Sequence, residues 1–224
     1  MKILKALLYA TVLVVGARGL SHAALFDRGG GLIFDSSLNI TWLQNSNLAA
    51  TEGFGVPEID VSGRMKWSTA NSWIFEMNKA NYLGFSDWRL ASMDVNSDNS
   101  IFNCDGASEE ECRDNELAYM YYQNMGGQSG DDLTGDQTIG AITLYGIQRH
   151  QWSSTVHDAN KAWFFDYFEG DTNYTFKEGN LLSAWAVRPG DSILNPTPEP
   201  STVILLGCGL IGLAGWGRKR FKKI

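Results

Sequence analysis

The stretch STANSWIFEMNKANYLG, residues 68–84, sets Ala70, Trp73, Ile74, Met77 and Ala80 at helical spacing on one face. Ser68 can cap its start, and Gly84 stands where a helix would end. This predicts a helix over residues 68–79 with Trp73 and Ile74 buried, because both lie on the apolar face. A second helix is predicted over residues 114–124, in DNELAYMYYQNMGG, with Asp114 as its cap and Leu117, Met120 and Tyr121 on one side. The remaining pattern is that of strands. GLIFDSSLNITWLQ, residues 31–44, reads as two short strands around a polar turn. RHQWSST, KAWFFDYFEG, DTNYTFKEG and LLSAWAVRPG read as a succession of strands separated by Gly-, Asp- and Asn-rich turns. DDLTGDQTIG, residues 131–140, reads as loop. The expected class is α+β with two helices and a mainly antiparallel sheet, and no internal repeat or heptad run is visible.

Both ends of the chain carry address-like segments. Residues 1–23 combine Lys2 and Lys5, an apolar run, and the small-residue exit Ser21-His22-Ala23. That is the layout of a secretory signal peptide cleaved after Ala23. Residues 193–200, ILNPTPEP, form a Pro-rich linker. Residues 201–224 hold an uncharged run and then Arg218, Lys219, Arg220, Lys222 and Lys223. A basic cluster directly after an apolar run stays on the cytoplasmic side, which would leave the preceding domain outside. Pro198-Glu199-Pro200, a short glycine-rich span and the basic end resemble the PEP-CTERM tail of Gram-negative bacteria. The resemblance implies recognition and removal of the tail by an exosortase, with the terminal helix holding the chain in the membrane until then. The destination would be the cell envelope, the cell surface or the extracellular matrix.

Between these segments lies a single domain, residues 24–192. It contains ten Lys and Arg against 24 Asp and Glu, a net charge of −14. Such a domain repels nucleic acid and dense anionic polymers. Cys104 and Cys112 frame the short segment CDGASEEEC, and in an exported domain they are expected to form a disulfide. In DVNSDNSIFNCD, Asp94, Asn96 and Asp98 alternate, and Asn99 occupies the sixth position. Oxygen ligands at alternate positions of a tight loop, with a residue tolerant of left-handed geometry at the sixth, suit calcium. The second reading of this loop is a solvated acidic surface.

GLIFDSSLNITWLQN, MKWSTANSWIFEMNKANYLGFSDWRL, QWSST followed by AWFFDYFEG, and AWAVRPG together resemble the Lcl C-terminal domain family. The resemblance covers about residues 30–190. It implies a C-type-lectin-like fold with a twisted antiparallel sheet and long loops, and a role in adhesion or glycan attachment. Ala91 stands where the family carries proline, and the acidic insertion of residues 94–115 is long. The family's founding example binds sulfated polysaccharides, a ligand that a domain at −14 does not suit. Trp88, Arg89, Trp152, Ser153 and Ser154 are the residues this resemblance highlights for ligand contact. Each also has a structural reading: core aromatics, a guanidinium on a buried carboxylate, and hydroxyls on backbone.

Catalytic motifs are absent from the sequence. There is no GxSxG, HExxH or glycine-rich phosphate loop. Ser153, Ser154, His157 and Asp158 are close in sequence, but a triad is defined by geometry. Asp166 and Glu169 could pair as carboxylates or simply solvate a turn. The expected function is a non-catalytic exported module that binds glycan or a surface partner. A purely structural matrix protein and a hydrolase are the alternatives.

Overall fold

The computed structural model describes residues 25–192. The signal segment, the linker with Pro198-Glu199-Pro200 and the terminal segment with Cys208 lie outside the described residues. Among the described residues, no helix is long and apolar enough to cross a membrane.

The chain begins with β1 (Leu25–Asp27), β2 (Leu32–Asp35) and β3 (Ile40–Leu43), then α1 (Trp67–Lys79) and β4 (Arg89–Leu90). Two single-turn helices follow, α2 (Glu109–Cys112) and α3 (Glu116–Tyr119). The rest is β5 (Gly135–Ile139), β6 (Ile142–Ile147), β7 (His150–Val156), β8 (Lys161–Asp166), β9 (Asp171–Phe176), β10 (Ser183–Ala184) and β11 (Ala186–Pro189). The strands form three sheets rather than one: β1-β2-β3-β11-β4, β10-β7-β8-β9, and the hairpin β5-β6. The pairings are antiparallel except β10 with β7 and an isolated bridge from Asn45 to Tyr145. The architecture is therefore mixed α+β with mostly antiparallel sheets.

The β2–β3 hairpin closes where its sequence turns polar. Asp35 Oδ1 accepts the Ser37 and Leu38 N–H groups at 3.0 and 3.1 Å. Asn39 then takes φ 53°, a left-handed conformation that Asn tolerates. β11 enters between β3 and β4, so the last strand of the domain is central to its sheet. Arg28 closes the chain ends with a two-pronged ion pair to Asp191, both bonds 2.7 Å.

The first predicted helix forms, with Ala70, Trp73, Ile74 and Met77 buried. It ends at Lys79 as expected, but its cap and the residue that turns the chain away differ from expectation. Ser68 lies inside the helix and donates to Glu178 at 2.9 Å, while Lys66 occupies the cap position. No side-chain cap is needed there, because Lys177 C=O accepts the Trp67 N–H at 2.9 Å. The residue that turns the chain away is Asn81 at φ 51°, not Gly84.

The second predicted helix is one turn of α-helix that continues as a π-turn, Met120–Asn124. Its cap is Asn115, whose Oδ1 accepts the Ala118 N–H at 3.1 Å. Asp114 is drawn instead to the acidic loop, where it accepts the Asn96 N–H at 2.8 Å. α2 was not expected; Ser108 and Glu111 cap it reciprocally. Part of the segment expected to be loop, residues 131–140, also pairs: β5 closes onto β6 through a two-residue turn with Gly140 at φ 61°. Its Gly- and Asp-rich composition hides the strand, because β5 is the largely exposed member of the hairpin and needs no apolar alternation, while β6 buries Ile142, Leu144 and Ile147.

The core is built on tryptophans whose N–H groups are matched to backbone carbonyls. Trp73 donates to Glu52 at 2.8 Å, Trp152 to Met65 at 2.9 Å and Trp185 to Leu43 at 2.6 Å. Trp42 packs against Trp185, with ring centroids 4.8 Å apart. Burying aromatic bodies while pairing their polar edges is the arrangement expected of such residues. The disulfide Cys104–Cys112 forms, with a Cα–Cα distance of 5.1 Å. Both half-cystines are buried, so the link closes a loop within the acidic insertion and that loop's base packs against the core.

Candidate functional site

Trp88, Arg89, Trp152, Ser153 and Ser154 converge on one region, but it is interior. Trp88 is 2% exposed and Trp152 fully buried, so neither offers a ring face to a ligand. Trp88 donates its indole N–H to Tyr82 C=O at 3.1 Å. Ser153 Oγ donates to Trp163 C=O at 2.8 Å, and Ser154 Oγ to Ala91 C=O at 3.3 Å. Arg89 grips Glu116 with two nitrogens at 2.6 and 2.7 Å, and the Ser92 N–H adds a bond to the same carboxylate at 2.7 Å. Burial works against the Arg89 charge, but the bonds from Glu116 outweigh it and hold its pKa above the ordinary value. These residues anchor the insertion to β4 and β7. A direct glycan contact by Trp88 or Trp152 is corrected by their burial.

Ser153, Ser154, His157 and Asp158 do not assemble as a triad. His157 Nδ1 lies 3.0 Å from Asp158 Oδ2, but the Ser153 and Ser154 hydroxyls are committed to carbonyls. Asp166 is held by Arg149, by His150 and by the N–H groups of Phe168 and Glu169. Glu169 lies on the far side of Arg149, at 3.6 Å. Asp166 is thus the carboxylate of a turn.

The acidic loop closes on itself. Asp94 Oδ1 and Asn96 Oδ1 both accept the Asp98 N–H, at 3.0 and 2.9 Å. Asn99 takes φ 64° at the sixth position. Asp94, Asp98 and Asp114 each bring a carboxylate oxygen within 4.8 Å of the others. Sequence reasoning missed Asp114, which lies twenty residues beyond Asp94 and had been read as a helix cap. The grouped carboxylates of Asp94, Asp98 and Asp114 are hard-oxygen donors, while the Asn96 Oδ1 accepts the Asp98 N–H.

The exposed aromatic surface lies elsewhere, on β8 and β9. Register places Trp163 opposite Tyr174 and Lys161 opposite Phe176, with Phe165 opposite Thr172 farther along the same face. At the Phe165 end the face is covered, since Phe165 packs on Tyr121 at 5.4 Å. At the other end it is open: Tyr174 is 40% and Phe176 56% exposed. His157 lies flat on Tyr174, centroids 3.8 Å apart, and Trp163 meets both rings edge-on at 5.2 and 5.1 Å. The Lys161 ammonium sits over Tyr174 and Phe176, at 5.0 and 5.3 Å. Beyond Phe176 a groove of about 490 Å³ continues along Asn160, Lys177, Glu178 and Gly179. The acidic loop starts beside this face, because the Met93 N–H donates to Thr155 Oγ1 of β7 at 2.9 Å.

The edge of this sheet is blunted. The Thr172 and Tyr174 N–H groups are each capped by the preceding side chain, Asp171 Oδ1 and Asn173 Oδ1, both at 2.8 Å. That arrangement works against strand addition and leaves the ring faces as the surface a partner can use. A second groove, about 500 Å³, lies between residues 54–58 and α1. Its one aromatic, Phe54, packs on Tyr82 and Trp73, and Lys66 at its rim is paired with Glu58. It offers no open ring.

Fold and surface together define a disulfide-linked α+β domain whose highlighted motifs serve structure and whose open aromatic face is on the β8–β9 hairpin. The chain matches the Lcl C-terminal domain family over residues 31–188 and belongs to it. Residues 196–219 match the PEP-CTERM protein-sorting motif. That motif implies an exosortase substrate, and hence an exported, surface-associated protein. A search of curated proteins found no match.

Proposed function

We propose that this protein is an exported, non-catalytic module of the cell envelope or extracellular matrix that binds glycan through the open face of β8 and β9. The observation that carries the reading is the cluster of Trp163, Tyr174, Phe176 and His157. Ring faces beside polar groups are what a sugar needs, because the apolar face of a pyranose packs on an aromatic while its hydroxyls find donors and acceptors at the rim. Asp158, Asn160 and Lys161 supply that rim. The family relation supports the same reading.

In this account the signal peptide ends at Ala23, residues 24–192 are the working domain, and an exosortase cuts near Pro198-Glu199-Pro200. The basic end Arg218, Lys219 and Arg220 remains inside until then. The loop of Asp94, Asn96, Asp98 and Asp114 holds a structural calcium ion that relieves its charge repulsion. The test is a glycan array probed with the exported protein and with Tyr174→Ala. Binding that is lost in the variant supports the function. No binding on any glycan would instead favour a structural matrix component.

A further inference from the structure

Every cationic side chain among the described residues is paired with a carboxylate except two, Lys161 and Lys177. Arg28, Arg64, Lys66, Lys79, Arg89, Arg113, Arg149 and Arg188 all form ion pairs. With 24 acidic residues for ten basic ones, an unpaired cation stands against the prevailing balance. Both exceptions lie on the aromatic face or its rim. Lys177 nevertheless has acceptors, since it donates to the carbonyls of Asp158 and Ala159 at 2.9 and 3.2 Å. Lys161, a half-buried residue, has none among the described residues: its ammonium meets only the Tyr174 and Phe176 rings. A ring face attracts a cation but satisfies none of the three ammonium N–H donors.

We infer that Lys161 is the specificity-determining residue of this face and that it receives the carboxylate of an acidic sugar. The inference rests on the glycan-binding reading above. A ligand packed on Phe176 and against the exposed part of Tyr174 that His157 leaves uncovered would lie beside the Lys161 ammonium and bring an anionic oxygen to donors that have no other partner. The chemistry favours isolated, singly charged groups. One ammonium neutralises one carboxylate, whereas a densely charged polymer meets the repulsion of a domain at −14. Lys161 and Lys177 match Asp158 and Glu178 in number around this face and leave it close to neutral, so a singly charged residue can approach.

The test compares binding of the exported protein to a methyl-esterified polygalacturonate that keeps only sparse free carboxylates, the acid form, and to the fully methyl-esterified form, two polymers that differ only in those isolated carboxylates. Three proteins are measured: wild type, Lys161→Gln and Tyr174→Ala. The Lys161 side chain makes no hydrogen bond to the protein, so Lys161→Gln should fold normally, as a thermal melt will verify. Wild type should bind the acid form about tenfold more tightly than the ester, the scale of one charge-assisted hydrogen bond. Lys161→Gln should bind both forms equally, at the affinity wild type shows for the ester, and Tyr174→Ala should lose both. Equal wild-type affinity for acid and ester, or a preference that survives Lys161→Gln, would overturn the assignment of Lys161 while leaving the aromatic face intact. Binding to neither polymer also overturns the carboxylate assignment, and the glycan array then decides the glycan-binding reading separately.

Discussion

Replacing Arg89 with alanine should destabilise the domain substantially while leaving the β8–β9 face in place. Glu116 is 3% exposed at its side chain, and Arg89 supplies two of the bonds to its carboxylate. Removing one partner of a buried pair costs about 3–5 kcal/mol, because the remaining charge stays buried without compensation. Arg89 is itself 36% exposed, so water can reach part of the site after truncation. The Ser92 N–H also still holds Glu116. The expected loss is therefore about 2–3 kcal/mol, below that range. For a domain of this size that corresponds to a fall in Tm of roughly 5–10 °C. Urea unfolding followed by circular dichroism measures it. Arg89→Lys should keep the charge but lose the two-pronged grip, with an intermediate cost. Adding Glu116→Gln to Arg89→Met should recover more than half of the Arg89→Ala loss, because no buried charge is then left behind. An Arg89→Ala cost under about 0.5 kcal/mol, the range of ordinary surface changes, would refute the reasoning.

Three further outcomes follow from the same structure. Millimolar calcium should raise the Tm of the exported protein, since a ligand that binds only the folded state stabilises it, and the rise should vanish in Asp98→Ala and in Asp114→Ala; an unchanged Tm in wild type would remove the calcium site. Burial, with Asp131 adding to it at Tyr121 and Asp105 at Tyr122, pushes both phenols up to about 12 from an ordinary 10. Unfolded tyrosines then release protons first, so stability should fall as pH rises from about 10 towards 12, and ionisation monitored at 295 nm should coincide with unfolding. Intact-mass measurement of protein exported by exosortase-competent cells should show loss of everything beyond the Pro198-Glu199-Pro200 region; product still carrying Trp216 and Arg218 would count against tail processing.

The strand succession and the first helix were legible because their apolar spacing is dictated by burial. Trp73, Ile74 and Met77 repeat at helical intervals, and Leu32–Asp35 and Ile40–Leu43 flank a turn rich in polar residues. The disulfide followed from two cysteines in an exported segment. What the sequence hid depends on tertiary partners. Nothing local signals that Lys177 C=O will satisfy the start of α1, that Asp114 will turn away from the helix behind it, or that β10 will lie parallel to β7. The capping pattern of α2, Ser108 with Glu111 three residues on, was in the sequence but obscured by the acidic run around it. The exposed aromatic face proposed as the ligand surface was missed for a related reason. Motif residues such as Trp88 and Trp152 are taken up by the core, whereas Tyr174 and Phe176 belong to an ordinary-looking strand. Their exposure comes from α3 and its π-turn covering only one end of the β8–β9 face.

The account depends most on that face holding glycan where the protein works. Wild-type protein and the Tyr174→Ala/Phe176→Ala double variant should be recovered from the medium or envelope of the producing cells and analysed for bound carbohydrate per mole of protein. Both aromatics are exposed, so the double variant should reach the surface in normal yield. The account predicts polysaccharide co-purifying with wild type and at least about a tenfold reduction in the variant, the consequence of losing on the order of 1.4 kcal/mol of binding. Equal carbohydrate on both proteins, or none on wild type, would contradict it.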